Sequence, residues 1–445
     1  MHKAGVLLCT FMKQQDTSST NSPARILIAS LAGTAIEFFD FYIYATAAVL
    51  VFPKLFFPSS EPAAATLESL ATFALAFFAR PVGSAVFGHF GDRIGRKATL
   101  VAALLTMGLS TVAVGLLPTY SAIGIAAPIL LALCRLGQGL GLGGEWGGAI
   151  LLATENAPPG KRARYGMFPQ FGAPVGFILS GGLFLFLSLQ LSNEQFLSFG
   201  WRIPFLASSV LVLIGLYVRL RITETPAFLH VLAHQERVKI PLITLFKEHS
   251  QALVLGTLLA VATFVLFYLL TVFCLSWGVT HLGYHRNEFL VIQLIGVLFF
   301  AGTIPLSATL ADRLGRRKTM ITSSLCIIIF GFALGPLLSE GTWGVVATLI
   351  IGFSLMGMTY GPLGTLLSEL YPTSVRYTGS STSFNMAGIL GASLAPYIAT
   401  SLALKYGLHA VGYYLSASAL LSLVAVYLTN ETQHLEIDSR STIVA

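Results

Sequence analysis

Charge is what this chain has least of. Asp, Glu, Lys and Arg make up 10% of its 445 residues, against about 25% in a soluble domain, which excludes an ordinary water-soluble protein. Cysteine is scarce as well. Cys9, Cys134, Cys274 and Cys326 lie far apart, three of them in apolar stretches, and none has metal-ligand spacing, so they read as small core residues and no metal is expected. The apolar segments hold no Ser/His, Cys/His or metal-ligand constellation, and the chain has neither an ATP-binding loop nor a soluble catalytic domain, which argues against an enzyme. Gly139 to Gly144 spells G-x-G-x-x-G, yet no strand precedes it and its surroundings are apolar, so it is not read as a nucleotide site. The short alternating segments of a membrane barrel are missing too.

What is present is hydrophobic length. The chain is 55% hydrophobic with a mean hydropathy of +0.78, and apolar runs of about 20 residues recur, enough to cross a bilayer as helices. Twelve spans are expected near 25–51, 66–90, 98–117, 123–154, 166–191, 201–220, 250–277, 287–310, 319–338, 342–368, 378–402 and 409–429. The net charge of +7 could suggest nucleic acid, but most of the 26 Lys and Arg residues fall in one alternate set of loops. Such asymmetry orients helices in a bilayer, basic side to the cytoplasm, so the bilayer and not nucleic acid is the expected partner. Both tails are then cytoplasmic in an inner-membrane protein. The apolar patch Gly5 to Phe11 is too short to span and has no cleavage site after it. The expected organisation is an N-terminal tail (1–24), a six-helix bundle (25–222), a charged, Pro-containing linker (223–249), a second six-helix bundle (250–430) and a C-terminal tail (431–445). Asn430-Glu431-Thr432 matches a glycosylation sequon but lies on the cytoplasmic side of this topology.

Two motifs recur half a chain apart. Gly91-Asp92-Arg93-Ile94-Gly95-Arg96-Lys97 is echoed by Ala311-Asp312-Arg313-Leu314-Gly315-Arg316-Arg317, and Glu155-x-x-Pro158 with Arg162 by Glu369-x-x-Pro372 with Arg376. Two repeats at nearly one offset imply equivalent halves. Positive loops alone would orient the helices, but acidic partners at repeated spacing are not needed for that, so these charges are read as a cytoplasmic gate that pairs across the halves.

With these motifs the chain resembles the major facilitator superfamily over essentially its whole length. Gly33-Thr-Ala-Ile-Glu37-Phe-Phe-Asp40-Phe41-Tyr42, Arg80-Pro81-Val-Gly83, Arg135-Leu-Gly-Gln138-Gly139 and Gly143-Gly144-Glu145-Trp146-Gly147-Gly148 are similar to the metabolite:proton symporters, which include transporters of shikimate, α-ketoglutarate, citrate and proline/betaine. The resemblance implies an all-α membrane fold of two six-helix bundles. It also implies alternating access driven by the proton gradient without a cofactor, and a gate at the repeated motifs. A helix 1 acid and a helix 4 arginine would work together.

Ionisable groups at membrane depth are functional candidates by default. Five are visible, all in the first half: Glu37, Asp40, Arg80, Arg135 and Glu145. Helix rise places Glu37, Arg80 and Glu145 about 15–18 Å above the cytoplasmic loops, and Asp40 and Arg135 higher, near 22 and 30 Å. Asp40 beside Arg135 is therefore the expected proton-coupling pair, with Glu37 the second candidate acid and Glu145 part of the network. Three acids against two arginines leave one acid without a cation, which suits a group that loads a proton. Arg80 is expected to grip a substrate carboxylate with two hydrogen bonds. Arg135, Gln138, Leu142, Glu145 and Trp146 share one helix face. Tyr42, Tyr44, Gln138, Trp146, Gln170, Tyr268, Tyr360 and Asn385 complete the candidate pocket, as lining or as bridges between helices. The expected function is proton-coupled uptake of a small organic acid by a monomer. The alternatives are a carrier of a zwitterion such as proline or betaine, an exporter of the same fold, or a ligand-binding receptor.

Overall fold

The computed structural model describes residues 23–58, 62–94, 96–220 and 241–433. The readings on most of both tails, on residues 221–240 of the linker and on Gly95 lie outside the described residues, as do the side chains of Asp92, Arg93 and Arg96.

Among the described residues twelve helices are long and apolar enough to cross a membrane: α1 Ile26–Leu50, α2 Ala64–Gly91, α3 Lys97–Leu116, α4 Ala126–Thr154, α5 Arg162–Gln190, α6 Arg202–Leu220, α7 Ser250–Thr280, α8 Arg286–Leu314, α9 Arg316–Ser339, α10 Gly341–Glu369, α11 Arg376–Tyr406 and α12 Leu408–Leu428. Helices suit lipid because each satisfies its own backbone hydrogen bonds. Most ends fall within a few residues of those expected. Span α4 starts later than expected because Gly124, at φ 58°, breaks the short helix Tyr120–Ile123 from it, a conformation open to glycine. Sequence periodicity gave no sign of the π-helical turns Leu269–Phe273 in α7 and Ile389–Ser393 in α11.

The spans form two six-helix bundles that meet along equivalent pairs, α2 against α11 and α5 against α8. Span α7 is the innermost, with 94% of its most apolar window buried, and α1 follows at 72%. Peripheral helices instead show apolar side chains such as Leu109, Leu213 and Ile329 on the outer surface, as lipid contact requires.

The glycines of α4 let it touch two neighbours, α2 and α3, at backbone distance. A Cβ on Gly139 would lie 2.4 Å from the Ala76 carbonyl oxygen of α2, and one on Gly143 2.1 Å from that of Arg80. On the next face, a Cβ at Gly141 would stand 2.7 Å from the Ala103 carbonyl of α3. Without a strong hydrophobic drive between helices in lipid, such close approach supplies the packing energy. It also fixes Arg80 against α4. Gly143→Ala is expected to destabilise the protein by about 1–3 kcal/mol, read as a lower unfolding temperature of the purified chain in detergent. An unchanged transition would show that α2 and α4 are not locked by this contact.

Candidate functional site

At mid-depth the two bundles enclose a narrow cavity bordered by Glu37, Phe41, Tyr42, Arg80 and Leu142 from one half and by Thr263, Phe264, Phe267, Tyr268, Met356 and Tyr360 from the other. Its free volume is about 20 Å³, room for about one water, so a metabolite must part the halves to sit there. Most of the wall is aromatic. The guanidinium of Arg80 lies 4.7 Å from the ring centre of Phe41 and 4.5 Å from that of Phe77. Its Nε has no hydrogen-bond partner, nor have Glu37 Oε2, the Tyr42 and Tyr360 hydroxyls or Thr263 Oγ1. Buried polar atoms without partners are costly and rare; here five of them border one cavity. Glu37 and Arg80 share it without forming an ion pair.

The expected pairing of Asp40 with Arg135 is not what the structure shows. Arg135 is wrapped by rings, 4.1 Å from Tyr44, 4.6 Å from Phe41 and 4.8 Å from Phe73, and donates to Gln138 Oε1 at 2.9 Å. Asp40 points the other way, toward the hydroxyls of Thr111 and Ser208 on α3 and α6. Neither hydroxyl is at bonding geometry, and both carboxylate oxygens lack partners. The reason is angular: Asp40 and Phe41 are neighbours on α1, so about 100° separates them, and it is Phe41 that faces both arginines.

A third arginine was missed. Arg219, near the end of α6, reads from sequence as a loop-side charge, yet it is only 4% exposed, and it forms an ion pair with fully buried Glu145 of α4. It also donates to the Leu100 carbonyl. Its guanidinium fits because Gly33 leaves room, where a Cβ would stand 2.4 Å away. Glu145 is thus committed to Arg219, and Arg80 is left for the cavity.

Of the other candidates, Tyr42, Tyr268 and Tyr360 line the cavity. Tyr44, Gln138, Trp146, Gln170 and Asn385 do not, since their polar atoms are spent on bridges between helices. Tyr44 bonds Thr72 at 3.1 Å, Gln138 bonds Thr111 at 2.9 Å, and Trp146 Nε1 donates to Gln170 Oε1 at 3.0 Å. Gln170 Nε2 reaches the Tyr360 carbonyl at 2.7 Å, and Asn385 Nδ2 the Gly143 carbonyl at 3.0 Å. These last two cross between the halves. So does the stack of Trp146 on Phe384, 3.6 Å apart.

At the end where the described chain begins and finishes, the repeated motifs meet. Glu369 lies 3.6 Å from Arg162 of the other half and 3.2 Å from Arg316, and Glu155 lies 3.8 Å from Arg376 across the halves. Asp312 sits 3.2 Å from Arg316, and its carboxylate also accepts from the backbone N–H groups of Ala163 and Arg164 at 3.1 and 3.0 Å. A carboxylate at the N-terminus of α5 meets its unsatisfied N–H groups and its positive end. Gly315, at φ 105°, turns the chain from α8 into α9, Gly91 packs on Tyr377, and Arg313 is exposed. Sequence reading missed the segment after α12. There Glu431 accepts from the N–H groups of Arg316 and Arg317 at 2.9 and 3.1 Å, and Thr432 donates to Glu369 at 2.6 Å.

Twelve spans in two bundles around a shared mid-depth cavity define an integral membrane transporter. The model of the Major Facilitator Superfamily matches residues 30–396, and the chain belongs to that superfamily. It is a metabolite transporter, not an enzyme, and the relatives it matches fit the metabolite:proton symporter resemblance. It is 59% identical to the inner membrane metabolite transport protein YhjE of Escherichia coli K12, over 96% of this chain and 98% of that one. Identity to the shikimate transporter of the same organism is 37% (94% and 97% covered), and to its proline/betaine transporter 32% (92% and 83%). The structure is similar to that of the proton:xylose symporter XylE bound to 6-bromo-6-deoxy-D-glucose, with a TM-score of 0.74, 19% identity and 94% and 98% of the two chains covered.

Arg219→Ala leaves the Glu145 carboxylate buried without its cation. A loss of about 3–5 kcal/mol is expected, seen as an unfolding transition lowered well below that of the native chain. The double change Glu145→Gln with Arg219→Gln should recover most of it. Equal stability of the single variant and the native chain would show that the pair carries no such burden.

Proposed function

We propose that this chain carries a small organic acid together with a proton into the cell, by rocking residues 25–222 against 250–430. The observation that carries this reading is Arg80, a buried cation without a carboxylate partner that opens onto a cavity shared by both halves. A substrate carboxylate would supply the missing charge. The planar guanidinium can hold it with two parallel hydrogen bonds, with the hydroxyls of Tyr42, Tyr268 and Tyr360 in reach of the remaining polar atoms. The names of the shikimate and proline/betaine transporters support this substrate range.

Asp40 is the proposed proton site and Glu37 the second. Asp40 stands apart from the cavity among α1, α3 and α6, with no cation beside it. It can alternate between acid and carboxylate without competing for the substrate's anchor. Arg135 acts on this site through α1 and the Gln138–Thr111 bridge. The charged motifs at the basic end, Glu155 with Arg376 and Glu369 with Arg162, hold that end shut and part when it opens. That end, with both tails, faces the cytoplasm across the inner membrane. The proton gradient supplies the driving force without a cofactor, and a monomer contains the whole pathway.

A second reading has its own support. Glu37 and the rings of Phe264 and Phe267 border the same cavity as Arg80, a setting that would accept the ammonium group of a zwitterion such as betaine.

In proteoliposomes with an imposed pH gradient, the native chain should accumulate labelled substrate. Arg80→Lys should raise the apparent KM about tenfold, the equivalent of about 1.4 kcal/mol, and an unchanged KM would contradict a bidentate anchor. Asp40→Asn should lose accumulation while keeping exchange; full accumulation by that variant would remove Asp40 from the coupling.

A further inference from the structure

At the end opposite the charged motifs the halves stand apart around a vestibule of about 820 Å³. Its wall includes Lys54 and Asn193 from the first half and Thr280, His285, Arg286 and Asn287 from the second, among apolar residues. No Asp or Glu is among the described residues that line it. The acids near it are Glu68, Glu194 and Glu288, all exposed, and Glu288 accepts from the His285 N–H at 3.1 Å. Glu61 lies outside the described residues.

Cations are scarce at this end, as the topology rule requires: among the described residues they are Lys54, Arg202, Arg286 and Lys405. Arg202 is taken up by the Gly115 and Leu117 carbonyls, at 2.8 and 2.6 Å, and Lys405 rests 5.2 Å from the ring centre of Tyr406. The other two, on opposite halves, both face the vestibule. Arg286 is braced on Phe196 at 4.3 Å with its Nε unpartnered, and the Asn287 carbonyl oxygen beside it is also unpartnered. The positive end of α8 is already met by Glu288 in its first turn, so the two cations carry the field.

We propose that this vestibule is an outer recognition site for carboxylate anions, in which Lys54 and Arg286 hold the substrate before the halves admit it to Arg80. It rests on the reading of the substrate as an organic anion. Low-dielectric walls concentrate the field of two cations, raising the local concentration of anions and repelling cations. Because the two groups belong to different halves, a bound dianion would bridge them. A zwitterion would be gripped at one end only.

The test does not depend on transport. In the otherwise native full-length chain, the wall residue change Thr280→Cys places a thiol in the vestibule. It is treated with 2-sulfonatoethyl methanethiosulfonate, an anion, or with the trimethylammonium reagent, a cation. Modification at that position is followed by site-resolved mass spectrometry and normalised to each reagent's rate with mercaptoethanol. The anionic reagent should react roughly tenfold faster at low ionic strength, less so at high. Adding Lys54→Gln and Arg286→Gln should erase the difference, and shikimate should slow the anionic reaction in the unneutralised chain. Equal rates, or a faster cation, would overturn the proposal. A rate preference without protection by shikimate would reduce the vestibule to a steering field and overturn the recognition site. A chain that transports only betaine would fail the organic-acid reading while leaving the reagent rates to stand, so the two failures are distinguishable.

Discussion

An ion at membrane depth costs several kcal/mol unless a partner, a ring or water compensates it, and that constraint arranges this molecule. Glu145 is compensated by Arg219, Arg135 by Gln138 and three aromatic rings, and Asp312 by Arg316 and two backbone N–H groups. Arg135 Nη2 and Glu145 Oε2 also lack hydrogen-bond partners, but away from the cavity; Glu37 and Arg80 keep unpartnered atoms on the cavity wall, and both oxygens of Asp40 are unpartnered with no cation beside them. In the reading proposed above, Glu37, Arg80 and Asp40 are left for a substrate and a proton that come and go.

The same rule separates the two ends. At the basic end, carboxylates on one half meet arginines and helix N-termini on the other, and the packing between them is tight: Gly147 faces Ser381, and a Cβ there would be 1.9 Å from its hydroxyl. At the far end the halves separate around a basic vestibule. Between the two lies a cavity with room for about one water. This arrangement, shut at one end and open at the other, fits one half of the proposed alternating-access cycle. The other half requires the ion pairs across the basic end to break together, and their exposure to water on opening lowers the cost of doing so.

The spans, the two-bundle division and the motif repeat were legible because each rests on a simple periodic or compositional signal. The deep charges in α1, α2 and α4 were legible for the same reason: an acid or arginine in an apolar run stands out. Their partners were not. Helix rise gives depth, but partner choice depends on rotation about each axis and on which helices are neighbours in space. Asp40 and Arg135 came out at compatible depths, yet α1 turns Asp40 toward α3 and α6 and presents Phe41 instead. Arg219 escaped because its position, close to a predicted helix end, resembles a loop charge; only the packing of α6 against α1 and α3 shows it buried. The polar bridges of Trp146, Gln170 and Asn385 likewise depend on contacts between halves that no one-helix pattern encodes.

Coupling, in this account, comes from α1, which carries Asp40 toward α3 and α6 and on another face lays Phe41 against the substrate's anchor, Arg80 of α2, so that α1 cannot move for one without disturbing the other. The most direct test is the internal pH of sealed proteoliposomes holding the purified chain, with shikimate, α-ketoglutarate, citrate and betaine added outside one at a time. The account predicts internal acidification that starts with the transported compound and stops when it is absent. Labelled compound entering with no change in internal pH would contradict proton coupling and leave a uniporter or an exchanger in its place.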